Sequence, residues 1–232
     1  TQEKATLFLD SLVSSKGIKA TLEKGNIDTV SYPSMSVEAY EMNWFAKRDS
    51  MILRNLEFKK PFQIFENKAQ LRGELILRQV GLFGSGEMEI EGAQLKSDSI
   101  AFTADSFLSK HTDFTLAAPN TRKPILSTIN SNIGFDVANA LATIEPGFAG
   151  EASLEFPFAQ FKTSIPSALW DVNKKTVTMT KPEDVPIEQS FFYSTNKRLD
   201  SLAFSATDGF YDIEKKELNV KGIPFIKVAD AK

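Results

Sequence analysis

Apolar and polar residues alternate with a period of two over long stretches of this chain. Met88 and Ile90 are interleaved with Glu87, Glu89 and Glu91. Ile100, Phe102 and Ala104 are interleaved with Ala101, Thr103 and Asp105, and Phe114, Leu116 and Ala118 with Asp113, Thr115 and Ala117. A fourth run sets Leu154, Phe156 and Phe158 against Glu155 and Pro157, where the proline marks an edge or a bulge. Such alternation turns one face of a strand to a core and the other to water. Gly73, Gly81, Gly84, Gly86 and Gly92 fall at strand ends or bends. Between residues 30 and 64 the parity changes: Met35, Val37 and Ala39 share one face, Tyr40, Met42 and Trp44 the other. That switch predicts a bulge or a corner. Phe62, Ile64 and Phe65 open the next strand after Lys59-Lys60-Pro61. Residues 1–24 fit two patterns, a helical stripe (Ala5, Phe8, Leu9, Leu12, Val13) or a strand ending in a turn. The strand agrees with the β rhythm downstream.

A second pattern lies above the first. An aromatic residue, Asp, a β-branched residue, a polar turn and an apolar strand recur as a unit. It runs Trp170-Asp171-Val172-Asn173-Lys174-Lys175-Thr176-Val177, and again Tyr211-Asp212-Ile213-Glu214-Lys215-Lys216-Glu217-Leu218. A degenerate copy is Phe135-Asp136-Val137-Ala138-Asn139-Ala140-Leu141-Ala142. The aromatic positions are 35 and 41 residues apart. Each copy reads as strand, tight turn, strand, and the spacing is that of repeat architectures. The prediction is an all-β chain of mainly antiparallel hairpins, stacked in an elongated sandwich, jelly roll or open trough. Phe135, Trp170 and Tyr211 should hold comparable positions near hairpins, with Val137, Val172 and Ile213 on the same side within their strands. Residues 1–232 read as a single elongated repeat region and as a fragment of a longer protein. The loop 119–124, Pro119-Asn120-Thr121-Arg122-Lys123-Pro124, is the one internal boundary to weigh.

Composition narrows the function classes. The net charge of −3 gives no long-range attraction for nucleic acid. No stretch approaches the apolar length of a membrane-spanning helix. The chain has no Cys, which removes disulfides, thiolate catalysis and Cys-ligated zinc. Phe is abundant at 19, against 2 Trp and 4 Tyr, and suits strands.

Candidate chemistry is sparse. His111 is the only His and sits in a turn-like Lys110-His111-Thr112-Asp113 stretch with no nucleophile-elbow motif. The Asp residues at equivalent repeat positions (Asp136, Asp171, Asp212) and the row Glu87, Glu89, Glu91 supply carboxylates. A carboxylate pair is all that a glycosidase requires, so a β-fold glycan-binding or glycan-active protein is the alternative. The structural reading is preferred: an Asp beside a turn accepts backbone N–H bonds and shapes the hairpin. Lys59-Lys60, Lys174-Lys175 and Lys215-Lys216 occupy turns or strand ends, where lysine blunts sheet edges. No enzyme activity, metal or cofactor is expected.

The stretch Gly209-Phe210-Tyr211-Asp212-Ile213-Glu214-Lys215-Lys216-Glu217-Leu218-Asn219-Val220-Lys221-Gly222-Ile223 resembles the strand-turn-strand-Gly unit of bacterial envelope β-repeat proteins. The families it is similar to are the periplasmic lipopolysaccharide-transport bridge proteins and the AsmA/TamB type. The end, Gly222-Ile223-Pro224-Phe225-Ile226-Lys227-Val228-Ala229-Asp230-Ala231, resembles a recurring segment of very long envelope proteins of Bacteroidota-type bacteria. These resemblances imply a cell-envelope scaffold or binding segment, periplasmic or at the surface. They also imply an apolar groove, with other β-repeat segments or lipid acyl chains as partners. Phe102, Phe156 and Phe225 are the candidate groove residues.

Overall fold

The computed structural model describes residues 6–7, 12–117, 123–147, 154–199 and 202–226, with side chains from residue 16 onward. Every regular element there is a β-strand, apart from three short 3-10 turns at Ala46–Arg48, Ile187–Gln189 and Lys197–Leu199. The all-β expectation holds, and the ladders are antiparallel. The chain divides into two compact units. The first runs to Ser109 and regains Asp136–Ala138; the second holds Lys110–Phe135 and everything from Asn139. Residues 119–122 of the proline-flanked loop, 1–5 and 8–11 near the start, and the end from Lys227 lie outside the described residues.

The first unit contains β1 (Thr6–Leu7), β2 (Leu12–Leu22), β3 (Gly25–Ile27), β4 (Val30–Tyr32) and β5 (Met35–Phe45). It continues with β6 (Ser50–Asn55), β7 (Phe62–Ile64), β8 (Ala69–Arg78), β9 (Gly81–Ile90) and β10 (Ala93–Phe102). The ambiguous start is strand in its described part, because β2 pairs with β5 from Leu12↔Phe45 to Leu22↔Met35. β5 then pairs with both β6 and β7, and both of these pair with β8. Residues 56–61 loop out between β6 and β7. β8 continues to β9 and β9 to β10, while β3 and β4 form a hairpin of their own.

The parity switch is real and stays within one strand. Ala39 adopts a left-handed φ of 53°, so burial passes from Met35 and Val37 to Tyr40 and Met42 without ending β5. β7 stops at Ile64, earlier than the apolar run suggests. Phe65, Glu66 and Asn67 all have positive φ and make the turn into β8, and Phe65 is buried there. Gly73 and Gly86 face each other across β8 and β9. A Cβ on either would sit 2.1 Å from a carbonyl oxygen of the opposite strand, at φ +152° and +130° respectively. Only glycine lets the two strands approach this closely.

β11 (Ser106–Ala117) begins in the first unit and continues into the second. There follow β12 (Pro124–Asp136), β13 (Leu141–Pro146), β14 (Leu154–Phe156), β15 (Phe161–Thr163) and β16 (Ala168–Asp171). The unit ends with β17 (Thr176–Thr180), β18 (Phe191–Ser194), β19 (Ala203–Ser205), β20 (Asp208–Asp212) and β21 (Glu217–Lys221). Two series of ladders result. One runs β13, β16, β17, β20, β21. The other runs β14, β15, β18, β19, with β12 touching β14 at Ser127↔Glu155. The chain deposits a hairpin in one series, then a hairpin in the other. This explains the period of the repeat: one period is two hairpins.

Aromatic side chains of both series meet in the core of this unit. The Phe156 ring on β14 lies 4.8 Å from that of Tyr211 on β20. Trp170 meets Phe114 and Phe135 edge-on, each at 5.9 Å. Such offset pairs add about 0.5–1.5 kcal/mol each beyond the area they bury.

Several hairpins close with one turn: four residues, the last left-handed. Its members end at Asp49, Ala140, Gln160, Lys175 and Lys216, with φ between 47° and 60°. Pro157 and Phe158 belong to such a turn. The strand read as reaching Phe158 therefore ends at Phe156, because Pro157 has no N–H to donate to a ladder. Ala104 likewise falls in a turn, closed by the Thr103 N–H donating to the Ser106 carbonyl at 2.8 Å.

Candidate functional site

Phe135, Trp170 and Tyr211 each occupy the next-to-last position of a strand, directly before Asp136, Asp171 and Asp212. All three rings are buried. Each strand enters a four-residue turn whose last residue, Ala140, Lys175 or Lys216, is left-handed. The aromatic-Asp repeat read in the sequence is a repeat of structure, but Val137, Val172 and Ile213, expected within the strands, are the first residues of the turns, because each strand ends at its Asp.

The carboxylates of the two later copies serve these turns. Asp171 Oδ1 accepts the Lys174 N–H, and Asp212 Oδ1 accepts the Lys215 N–H, both at 2.9 Å. The same lysines close ion pairs, Lys174 Nζ to Asp171 Oδ2 at 2.8 Å and Lys215 Nζ to Asp212 Oδ2 at 3.4 Å. Bonding to Lys174 through side chain and backbone holds the Asp171 carboxyl below its ordinary range. For Asp212 the backbone N–H of Lys215 is the largest cause of the same downward shift. Hydrogen bonds to the charged form favour that form. Glu87, Glu89 and Glu91 all point to solvent along one face of β9 and its turn. His111 lies inside β11 and not in a turn; it pairs through Nδ1 with Asn130 Oδ1 at 3.0 Å, and both residues have positive φ. No three His, Asp or Glu side chains among the described residues gather as a metal site.

The copies are also bonded to one another. The Val137 N–H donates to the Asp105 carbonyl at 2.8 Å. The Val172 N–H donates to the carbonyl of Ala140 at 3.1 Å, and the Ile213 N–H to that of Lys175 at 3.0 Å. The β-branched residue of each later copy is thus tied to the left-handed residue of the copy before. Lys175 Nζ and Glu214 Oε1, 2.5 Å apart, bridge the same pair of turns on the outside.

The last copy differs in what lies beyond it. β21 pairs with β20, and β19 with β18; among the described residues neither has a second partner strand. Between these two edges opens a groove of about 510 Å³. Phe161, Phe204, Leu218, Val220 and Ile223 form the apolar part of its lining, beside Lys216, Glu217 and Asn219. The Lys216 ammonium also lies 4.5 Å from the centre of the Phe158 ring, a cation–π contact that holds the rim in place. Leu218 and Val220 alternate with exposed Glu217, Asn219 and Lys221. Their counterparts in the earlier copies, Ala142 and Ile144, then Val177 and Met179, are all at most 1% exposed.

Tyr211 is the aromatic residue of this last copy. It is fully buried, and its hydroxyl has no hydrogen-bond partner. Burial, with Asp212 adding to it, pushes its pKa up to about 12.

Of the candidate groove residues, Phe102 packs in the first unit's core against Phe65 and Phe107, at 6.0 and 6.2 Å between ring centres. Phe156 fills the second unit's core, and Phe225, beyond β21, is 63% exposed. None of the three lines the groove. Sequence reading passed over Leu218, Val220, Phe161, Phe204 and Ile223. The usable signal for the first two was their place as inward positions of the last recognisable copy.

Comparison with family models, curated proteins and solved structures finds no match to this chain.

Proposed function

We propose that this chain is a non-enzymatic scaffold and binding segment of a bacterial cell envelope, and that the open end of its second unit is the binding surface. The envelope setting rests on the resemblance of the aromatic-Asp unit to envelope β-repeat proteins. The binding surface rests on one observation. Leu218 and Val220 hold positions that are sealed in both earlier copies, yet they line an open apolar groove. A concave, partly apolar site of this size is within the range of ligand pockets, roughly 300–1,000 Å³. Asp171 and Asp212 work in turns, which favours this reading over a glycan-active enzyme built on a carboxylate pair.

A fluorescent fatty acid serves as the apolar probe. It is expected to bind the wild-type protein and to lose most of its binding to Val220→Glu, with folding verified by circular dichroism. Equal binding to both proteins would refute the groove as the site.

A further inference from the structure

We infer that the occupant of this open end is a β-strand of the repeat's own type, added antiparallel to β21 in the register the earlier copies use. The inference rests on the reading of the open end as the binding surface and names its guest. Continuity with the existing interfaces carries it. β13 is covered by β16 with Leu141↔Asp171, Ala142↔Trp170 and Ile144↔Ala168 in register. β17 is covered by β20 with Thr176↔Asp212, Val177↔Tyr211 and Met179↔Gly209. In both, the first strand residue faces Asp, the second the buried aromatic and the fourth a small residue. That fourth position is Ala168 in one copy and Gly209 in the other; at Gly209 an added Cβ would lie 2.7 Å from the tip of the Phe192 ring and 2.8 Å from the Met179 methyl carbon.

β21 repeats the first half of that interface. Glu217, Leu218 and Val220 stand where Thr176, Val177 and Met179 stand, and the Lys216 backbone repeats that of Lys175. The fitting strand reads small–any–aromatic–Asp–β-branched. Its aromatic ring would fall opposite Leu218 and over the groove, its small residue opposite Val220. The N–H of its β-branched residue would donate to the Lys216 carbonyl. Register is strict because a slip of one residue turns the aromatic to water. An acyl chain would fill the apolar groove but satisfy none of the backbone groups along the β21 edge.

The probe is a peptide of residues 207–214 with Tyr211→Cys. The protein lacks Cys, so an introduced thiol is unique. Leu218→Cys and Asn219→Cys are compared for disulfide formation with the peptide under mild oxidation. The expected result is several-fold faster coupling at 218 than at 219, with the unmodified peptide displacing the fluorescent fatty acid. Should Leu218→Cys fold poorly, Val220→Cys with a Gly209→Cys peptide reads the same register. Equal rates at 218 and 219 overturn the strand as occupant. So does absence of coupling while the fatty acid still binds, which leaves the apolar site intact. Failure of both probes sinks the site and its guest together.

Discussion

The hairpin β16–β17 and the hairpin β20–β21 carry the same local code and meet different surroundings. Both have a buried aromatic before Asp, a turn closed by that Asp, and two inward apolar residues on the second strand. In the earlier hairpin those residues, Val177 and Met179, are fully buried under β20 and the facing strands. In the later one Leu218 and Val220 are only half-buried. The turn is local chemistry and repeats faithfully; burial belongs to the neighbour and does not. The energetic weight of the repeat should therefore sit in its earlier members.

The largest expected effect tests that weight. Trp170→Ala removes the ring that meets both Phe114 and Phe135, and should cost about 3–5 kcal/mol in denaturant unfolding. A loss below about 1 kcal/mol would mean that the aromatic repeat is not what holds the unit.

The next test sets equivalent positions against each other. Met179→Ala should cost about 2–5 kcal/mol, and Val220→Ala less than about 1. Comparable losses would show that β21 is covered in solution, which would erase the contrast.

Tyr211 adds a pH signature confined to the later hairpin. Its pKa in the folded protein, about 12, stands above the ordinary 10.0. The folded state therefore keeps a proton that the unfolded state releases. This stabilisation is intact below pH 10 and is lost as pH rises through the folded value. Two units correspond to about 2–3 kcal/mol. Tyr211→Phe should flatten this alkaline fall. It should also leave neutral-pH stability unchanged or slightly higher, because the hydroxyl it removes has no partner. An unchanged alkaline profile in Tyr211→Phe would assign the loss elsewhere.

The smallest expected effect concerns what the two hairpins share. Asp171 and Asp212 both titrate below the ordinary 3.8. Their charged forms therefore stabilise the fold above that value, and the contribution is lost as pH falls through the folded pKa. Asp171→Asn and Asp212→Asn should each weaken the acid dependence of the unfolding midpoint, and by similar amounts because the turns match. A large difference between the two variants would show that the turns are not energetically equivalent.

Much of the fold was legible because it is written locally. Alternation at 87–90 and 113–117 placed strands with the correct inward faces, and the aromatic-Asp copies located hairpins that do stack. The misreadings were local as well. Phe158 and Ala104 continue an apolar alternation but sit in turns, since alternation cannot register where a proline or a hydroxyl-closed turn stops a ladder. The candidate groove was less legible. Phe102 and Phe156 were chosen as inward aromatics, and inward is what they are: each is sealed in a core.

The sequence by itself determined the strand class, the turns and the place of each aromatic-Asp pair. These depend on period-two patterning and on hydrogen bonds that span three or four residues. Tertiary structure alone decided that successive hairpins alternate between two series of ladders. It also decided that the carbonyls of Ala140 and Lys175 receive the next copy, and that Leu218 and Val220 border open space. Val177 and Leu218 are interchangeable to any local rule. What separates them is a strand from elsewhere in the chain, β20, which lies against β17, while among the described residues no strand takes the equivalent place on β21.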